Sequence, residues 1–153
     1  VQTENYIMIA VGGSDLKKDG IKAAEILYRK GIDSIYIKGP FNMHKDSDIP
    51  GKVITCPEDF ASLMKRSSLV ITNGGGCMLE AMYLGKGIVA LPQTKYESNL
   101  AKFAYNNGAL LGIDLNSIRM YSYNKVLNAG SKASKLVDGK GISRIANIIQ
   151  NLI

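Results

Sequence analysis

The chain has 153 residues, 46% of them hydrophobic and 21% charged, with a net charge of +6. That length and balance fit one globular domain with a substantial core and exclude a disordered polymer. No apolar run approaches the roughly 20 residues of a membrane helix, and the opening VQTENYIMIAVGG lacks the basic region of a signal peptide.

Tyr6 to Val11 is a continuous apolar run closed by Gly12 and Gly13, and it reads as a buried strand. Asp19 to Lys30 carries Ile21, Ala24, Leu27 and Tyr28 at helical spacing, with Gly31 as its cap. Ser34 to Lys38 is a second strand, stopped by Gly39 and Pro40. A polar loop runs from Phe41 to Gly51, and Lys52 to Thr55 is a short third strand. Pro57 opens a helix at its favoured first-turn position. Glu58 and Asp59 suit the positive end of that helix, and Phe60, Leu63 and Met64 point inward.

Ser68 to Thr72 is the fourth strand, and Gly74, Gly75 and Gly76 follow it directly. A helix then runs from Cys77 to Leu84 and ends at Gly85. Gly87 to Leu91 is the fifth strand, stopped by Pro92. Glu97 to Asn107 is helical, with Leu100, Ala101, Phe103 and Ala104 as its apolar stripe, and Ala109 to Ile113 is a short sixth strand. From Ser117 the pattern gives two helices broken near Asp138 to Gly141, the last burying Ile142, Ile145, Ile148 and Ile149.

Short apolar strands alternating with helices imply a parallel sheet covered on both faces. The expected fold is α/β: a single Rossmann-like, doubly wound domain over 1–153 with about six strands. The sequence does not begin with Met, which suggests one domain of a longer protein or a processed form. Cys56 and Cys77 form no CxxC pair and no zinc spacing with His44, so they read as reduced thiols of a cytoplasmic protein; no metal or cofactor is expected. The positive charge suits an anionic ligand, but Lys and Arg are too scattered for a nucleic-acid surface.

In such a sheet, ligands bind outside the carboxyl ends of the strands. Two of the turns there are glycine-rich, Gly12-Gly13-Ser14 and Asn73-Gly74-Gly75-Gly76-Cys77, and both lead toward helices. Glycines at these turns permit either close strand–helix packing or close approach of a phosphate to free helix amides. The adjacent glycines of the first turn are not G-x-G-x-x-G, and no P-loop or G-x-S-x-G elbow occurs. His44 reads as a solvated loop residue. Cys77 has no evident base beside it.

Glu80 lies one helical turn beyond Gly76. Its carboxylate can point back toward the glycines, where it suits a sugar diol better than a phosphate, or it can stabilise the helix dipole. Gln93, Glu97, Ser98 and Asn99 offer hydrogen bonds to a second sugar. Thr94 and Glu97 equally form a helix capping box, and both roles are compatible.

The blocks "VGGSD", "ITNGGGCMLEAMYLGKGIVALP", "ESNLAKF" and "LVDGKG" resemble the C-terminal domain of a GT-B nucleotide-sugar enzyme. The resemblance is in particular to the UDP-sugar hydrolases of pseudaminic acid biosynthesis and the related spore coat polysaccharide proteins, and more distantly to MurG-type glycosyltransferases. It implies a UDP-sugar ligand. Gly12, Gly13 and Ser14 would approach its sugar or phosphate, and Gly74 to Cys77, next to Asn73, would cradle the diphosphate. Glu80 would hold the ribose. Thr55 to Phe60 would border the uracil, and Gln93, Glu97, Ser98 and Asn99 would lie near the phosphate and donor sugar.

In such enzymes a second, N-terminal Rossmann-like domain completes the active site and supplies the base; His44 does not match that base. The expectation is therefore the binding half of a hydrolase or transferase of bacterial surface-glycan synthesis. Its partner domain would be joined in cis or supplied by a separate subunit, and a non-catalytic nucleotide-binding module is the further alternative.

Overall fold

The computed structural model describes residues 4–152. Five short parallel strands form one sheet: β1 (Ile7–Ala10), β2 (Ser34–Lys38), β3 (Lys52–Thr55), β4 (Leu69–Thr72) and β5 (Ile88–Ala90). Their order is β3-β2-β1-β4-β5. The helices are α1 (Asp19–Arg29), α2 (Phe60–Arg66), α3 (Gly76–Tyr83), α4 (Lys95–Asn106), α5 (Tyr123–Leu136) and α6 (Gly141–Gln150).

The strands are apolar throughout because both faces of the sheet are covered. Successive residues alternate between two cores. Met8, Ala10, Val70, Ile88 and Ala90 meet Leu63, Met64, Met78, Ala81 and Met82 on one side. Ile7, Ile9, Tyr36, Ile71 and Val89 meet Ile21, Ala23, Ala24 and Leu27 on the other. Thus α2, α3 and α4 cover one face and α1 the other, while α5 reaches both layers through Ala133 and Ala129. Strand order reverses between β1 and β4, the topological switch point of this architecture. These two strands run level, from Ile7 beside Leu69 to Ala10 beside Thr72, so their following turns emerge side by side.

Three expectations are corrected. The sheet has five strands, not six. Segment 109–113 makes only one isolated bridge, Gly112 to Val89. Asp114 then caps a 3₁₀ turn over Leu115–Ser117, and a Cβ on Gly112 would overlap the Ser117 side chain. Second, α6 buries none of its residues: Ile142, Ile145, Ile148 and Ile149 are 52–85% exposed. The helical period was legible, but no other described element packs on this stripe. Third, α2 begins at Phe60 rather than Pro57. Cys56 adopts a left-handed φ of 44°, and the chain makes a turn before the helix starts. Phe103 and Tyr28, placed on apolar stripes by spacing, are also exposed, whereas Ala101 and Ala104 are buried as expected.

The contact between α5 and the end of α3 depends on a missing side chain. A Cβ on Gly130 would overlap the Gly85 carbonyl and stand 3.3 Å from the carbonyl carbon of Lys86. Gly130→Ala is expected to cost about 1–3 kcal/mol of stability in urea denaturation, because backbone cannot yield as a side chain does. Gly141→Ala meets open space at the start of α6 and should be within about 0.5 kcal/mol of the parent, or better.

Candidate functional site

The turn after β1 is built on unusual backbone. Gly12 has φ +92°, and Asp15 and Lys18 also adopt left-handed values of 47° and 56°. The buried Asp15 carboxylate holds this conformation. It accepts from the amides of Gly20 and Ile21 at 3.1 and 3.2 Å and from the Tyr36 hydroxyl at 2.9 Å. It thereby satisfies free donors at the start of α1 from a position outside the usual cap. Burial, and then the Asp15 charge, push the Tyr36 phenol far up, so it remains a neutral donor. Gly13 is exposed and Ser14 half-buried at the tip.

The turn after β4 lies directly against it. The buried Thr72 hydroxyl donates to the Ala10 carbonyl at 2.7 Å, and a Cβ on Gly12 would stand 3.1 Å from the Asn73 amide nitrogen. The three glycines then differ sharply. A Cβ on Gly74 would overlap the Glu97 backbone carbonyl, so Gly74 admits the start of α4. A Cβ on Gly75 would meet Asn73 and Glu97 side-chain atoms at 3.3 Å. Gly76 is exposed, and a Cβ there would meet nothing within 4 Å. Packing therefore explains the first glycine, bears on the second and leaves the third without a reason.

Gly75 caps α3 without a side-chain hydrogen bond, and the helix ladder begins with Met78 and Leu79 donating to the Gly75 carbonyl at 3.1 and 3.3 Å. The amides of Gly76 and Cys77 donate to no oxygen acceptor among the described residues, and the Cys77 amide lies beside its own thiol. The first turn of α3 contains no acidic residue, so the positive end of its dipole is uncompensated. Glu80 is the fifth residue of α3, beyond that turn, and is exposed with no hydrogen-bond partner for its carboxylate among the described residues. Its charge acts on Cys77: burial first, and then Glu80, push the Cys77 thiol up.

The turn after β5 completes the edge. Glu97 accepts from the Asn73 side chain at 2.8 Å, from the Gln93 amide at 2.7 Å and from the Thr94 amide at 3.3 Å. Thr94 accepts from the Glu97 amide at 3.2 Å, and the capping box is formed. Glu97 is thus a clasp between two turns, and Asn73 and Gln93 are engaged too. Gln93 accepts from the Lys17 amide at 3.3 Å and donates to the Leu91 carbonyl at 3.0 Å. Ser98 and Asn99 have no hydrogen-bonded side-chain partner among the described residues; Ser98 is half-buried and Asn99 exposed.

The structure therefore brings Gly12 to Ser14, Asn73 to Cys77, and Gln93 to Ser98 together around the switch point. Thr55 and Phe60 stand apart from this group, because β3 is the sheet edge and Cys56 is tethered to the β2 turn through Lys38. Thr55 is exposed, and Phe60 packs half-buried on the core. His44 is half-buried, with Nε2 3.4 Å from the Asp15 carbonyl. The role of Asp15 was not read from the sequence; the available signal was an Asp placed four residues before the first helical residue. A cavity of about 510 Å³ opens at the opposite edge, near the amino ends of β1, β4 and β5 beside Met120 and Tyr123. The free amides and bare backbone identify the carboxyl edge as the candidate site instead.

Two outcomes follow from these contacts. Glu97→Ala leaves three donors without their acceptor and is expected to lower stability by about 2–3 kcal/mol in urea denaturation, since hydrogen bonds to charged groups carry about 1.5–3 kcal/mol. Iodoacetamide at pH 7.5, followed by mass spectrometry, should label the exposed Cys56 well before Cys77, whose raised pKa and partial burial suppress thiolate.

No family model matches the chain. It is similar to the spore coat polysaccharide biosynthesis protein SpsG of Bacillus subtilis, at 28% identity over 169 aligned residues that cover 95% of this chain and 50% of SpsG. The solved structure of Acinetobacter baumannii MurG matches with a TM-score of 0.72 and 16% identity, over 99% of this chain and 51% of MurG. An S. aureus MnaA–UDP complex matches with a TM-score of 0.68 and 17% identity, over 98% of this chain and 47% of that one. The chain is a homologue of SpsG with the fold of one Rossmann-like half of the GT-B architecture, and it spans about half the length of these relatives.

Proposed function

We propose that this chain is the nucleotide-sugar-binding half of a GT-B enzyme of surface-glycan synthesis, and that its ligand is a UDP-sugar. The observation that carries this reading is the pair of free amides at Gly76 and Cys77, beside a glycine that packing does not require. Oriented amides at a helix start form a ready site for a diphosphate. Glu80, one turn along α3, is free to accept both ribose hydroxyls. Ser98 and Asn99 are free to reach the phosphate or sugar, and Gly13 and Ser14 border the same crevice. Glu97, Gln93 and Asn73 hold the turns in place. The MnaA structure with UDP and the polysaccharide role of SpsG support the ligand class and the setting.

The chemistry would be displacement at the anomeric carbon, by water in a hydrolase or by an acceptor hydroxyl in a transferase. UDP leaves in either case, and the amides and dipole of α3 stabilise the charge that develops on it. The proton acceptor for the nucleophile is assigned to the second half, in cis or as a separate subunit. The exposed isoleucine stripe of α6 is a surface for that half to cover.

Thermal denaturation tests this reading on the chain alone. UDP at about 100 times its Kd should stabilise by about 2.7 kcal/mol, a Tm rise of roughly 5–10 °C for a domain of this size. GDP, CMP and NAD should give smaller shifts. Glu80→Ala should leave the unliganded Tm nearly unchanged and Gly76→Ala should raise it by about 1–4 °C, and each should remove most of the UDP shift. An undiminished shift in both variants would overturn the assignment of the site.

A further inference from the structure

We propose that Lys17 is the cation that receives the outer phosphate of the diphosphate, the one that carries the sugar. The inference rests on the nucleotide-sugar reading above and adds a full positive charge to the amides and helix dipole assigned there.

Lys17 is exposed in the turn after β1, yet it is held at three points. Its amide donates to Gln93 Oε1 at 3.3 Å, and its carbonyl accepts from Lys22 Nζ at 3.2 Å. Its ammonium donates to the Pro92 carbonyl at 3.0 Å. The side chain therefore starts in the turn after β1 and ends at the exit of β5. In the sheet, β4 lies between these two strands. Neighbouring strands stand about 4.8 Å apart, so a side chain that joins the turn after β1 to the exit of β5 passes the end of β4. Both anchors confirm how near that end is. The Leu91 amide, one residue before Pro92, donates to the Thr72 carbonyl at 2.6 Å. On the other side, a Cβ on Gly12 would stand 3.1 Å from the Asn73 side-chain nitrogen. The ammonium is thus held beside the glycine turn that leads into α3.

The charge of Lys17 is unanswered. Among the described residues, ion pairs engage Lys22, Arg29, Lys38, Arg66 and Arg144, and Lys17 is in none of them. Glu97, the carboxylate of these turns, is taken up by Asn73, Gln93 and Thr94. An ammonium has three donors, and the Pro92 carbonyl uses one. Two remain for an anion while the clasp to β5 stays closed. A helix start supplies about half a positive charge, and a diphosphate carries more than one full negative charge. A whole cation anchored beside the free amides answers the remainder.

The order of the ligand along the edge selects which phosphate it meets. The ribose is assigned to Glu80 on α3 and the sugar to Ser98 and Asn99 after β5. The phosphate that joins the sugar then lies on the β5 side, where the Lys17 ammonium is tied to Pro92. The base lies beyond the ribose, at the far end of the ligand. When the bond to the sugar breaks, the new negative charge appears on this outer phosphate, and a preorganised cation there stabilises it.

UDP and UMP differ by this phosphate, so the ratio of their dissociation constants tests the inference. Both are measured by calorimetry on the parent chain and on Lys17→Gln, UMP by displacement of UDP. The variant should lower the preference for UDP over UMP by about tenfold, the effect of one charge-assisted hydrogen bond reduced by solvent exposure. UMP itself should change by less than about twofold. Lys17→Arg, which keeps the charge and the donors, should restore most of the preference. Lys18→Gln removes the neighbouring exposed charge and should leave the ratio unaltered. An unchanged ratio in Lys17→Gln, equal weakening of both ligands, or the same loss in Lys18→Gln overturns the inference and leaves the nucleotide site standing. Failure of the parent chain to bind UDP removes the underlying reading, and the inference with it.

Discussion

The carboxyl edge of this domain is organised by convergence of donors on one carboxylate. Glu97 takes the Asn73 side chain from the turn after β4 and the Gln93 and Thr94 amides from the turn after β5, while sitting in the first turn of α4. One side chain therefore fixes the end of one strand, the exit of another and the start of a helix. Hydrogen bonds to an ionised acceptor are about twice as strong as neutral ones, so a carboxylate is well suited to that position. Its charge is also answered locally. The negative group nearest the glycine turns is saturated by protein donors, and the start of α3 keeps its positive potential for something else.

That arrangement separates three glycines that look equivalent in sequence. Gly74 is imposed by the backbone of Glu97, because any side chain would strike its carbonyl. Gly75 occupies the cap, where a Cβ would crowd Asn73 and Glu97. Gly76 faces open space, and glycine there costs about 0.5–1 kcal/mol relative to alanine in a helix. A residue that lowers stability and answers to no internal contact is best understood through an external one. The bare backbone, the two free amides beside it and the unpartnered Glu80 carboxylate one turn on form a single surface with a single polarity pattern.

Much of the fold was legible because a sheet buried on both faces leaves short apolar runs, and the runs at Ile7, Ile35, Leu69 and Ile88 announce themselves in this way. The capping box at Thr94 and Glu97 was legible because its chemistry is local. What sequence could not supply were properties set by distant partners. The segment at Ala109 to Ile113 has strand composition, but the turn capped by Asp114 ends its pairing after one bridge. The isoleucines of α6 have the right period for a buried face, and periodicity says which residues share a face without saying what lies opposite. Asp15 was hidden for the converse reason: its three donors come from α1 and β2, none of them implied by the four letters of the turn that contains it.

Asp15 also explains how the edge tolerates its own geometry. Among the described residues, the non-glycine ones with left-handed backbone are Asp15, Lys18 and Cys56, all in segments that follow strands at this edge. Such conformations cost of order 1–2 kcal/mol for an L-residue, and they persist where surrounding contacts over-determine them. Around Asp15 those contacts are a buried carboxylate with three donors, one of them a phenol that burial and the same carboxylate keep protonated. Tyr36 cannot ionise without placing two negative charges side by side, so the donor Asp15 depends on is secured by Asp15 itself. The turn after β1 is therefore ordered before any ligand arrives. A site shaped in advance loses less conformational entropy on binding, so rigidity at this edge, rather than the depth of a cavity, is the property that would favour the charged and flexible ligand proposed for it.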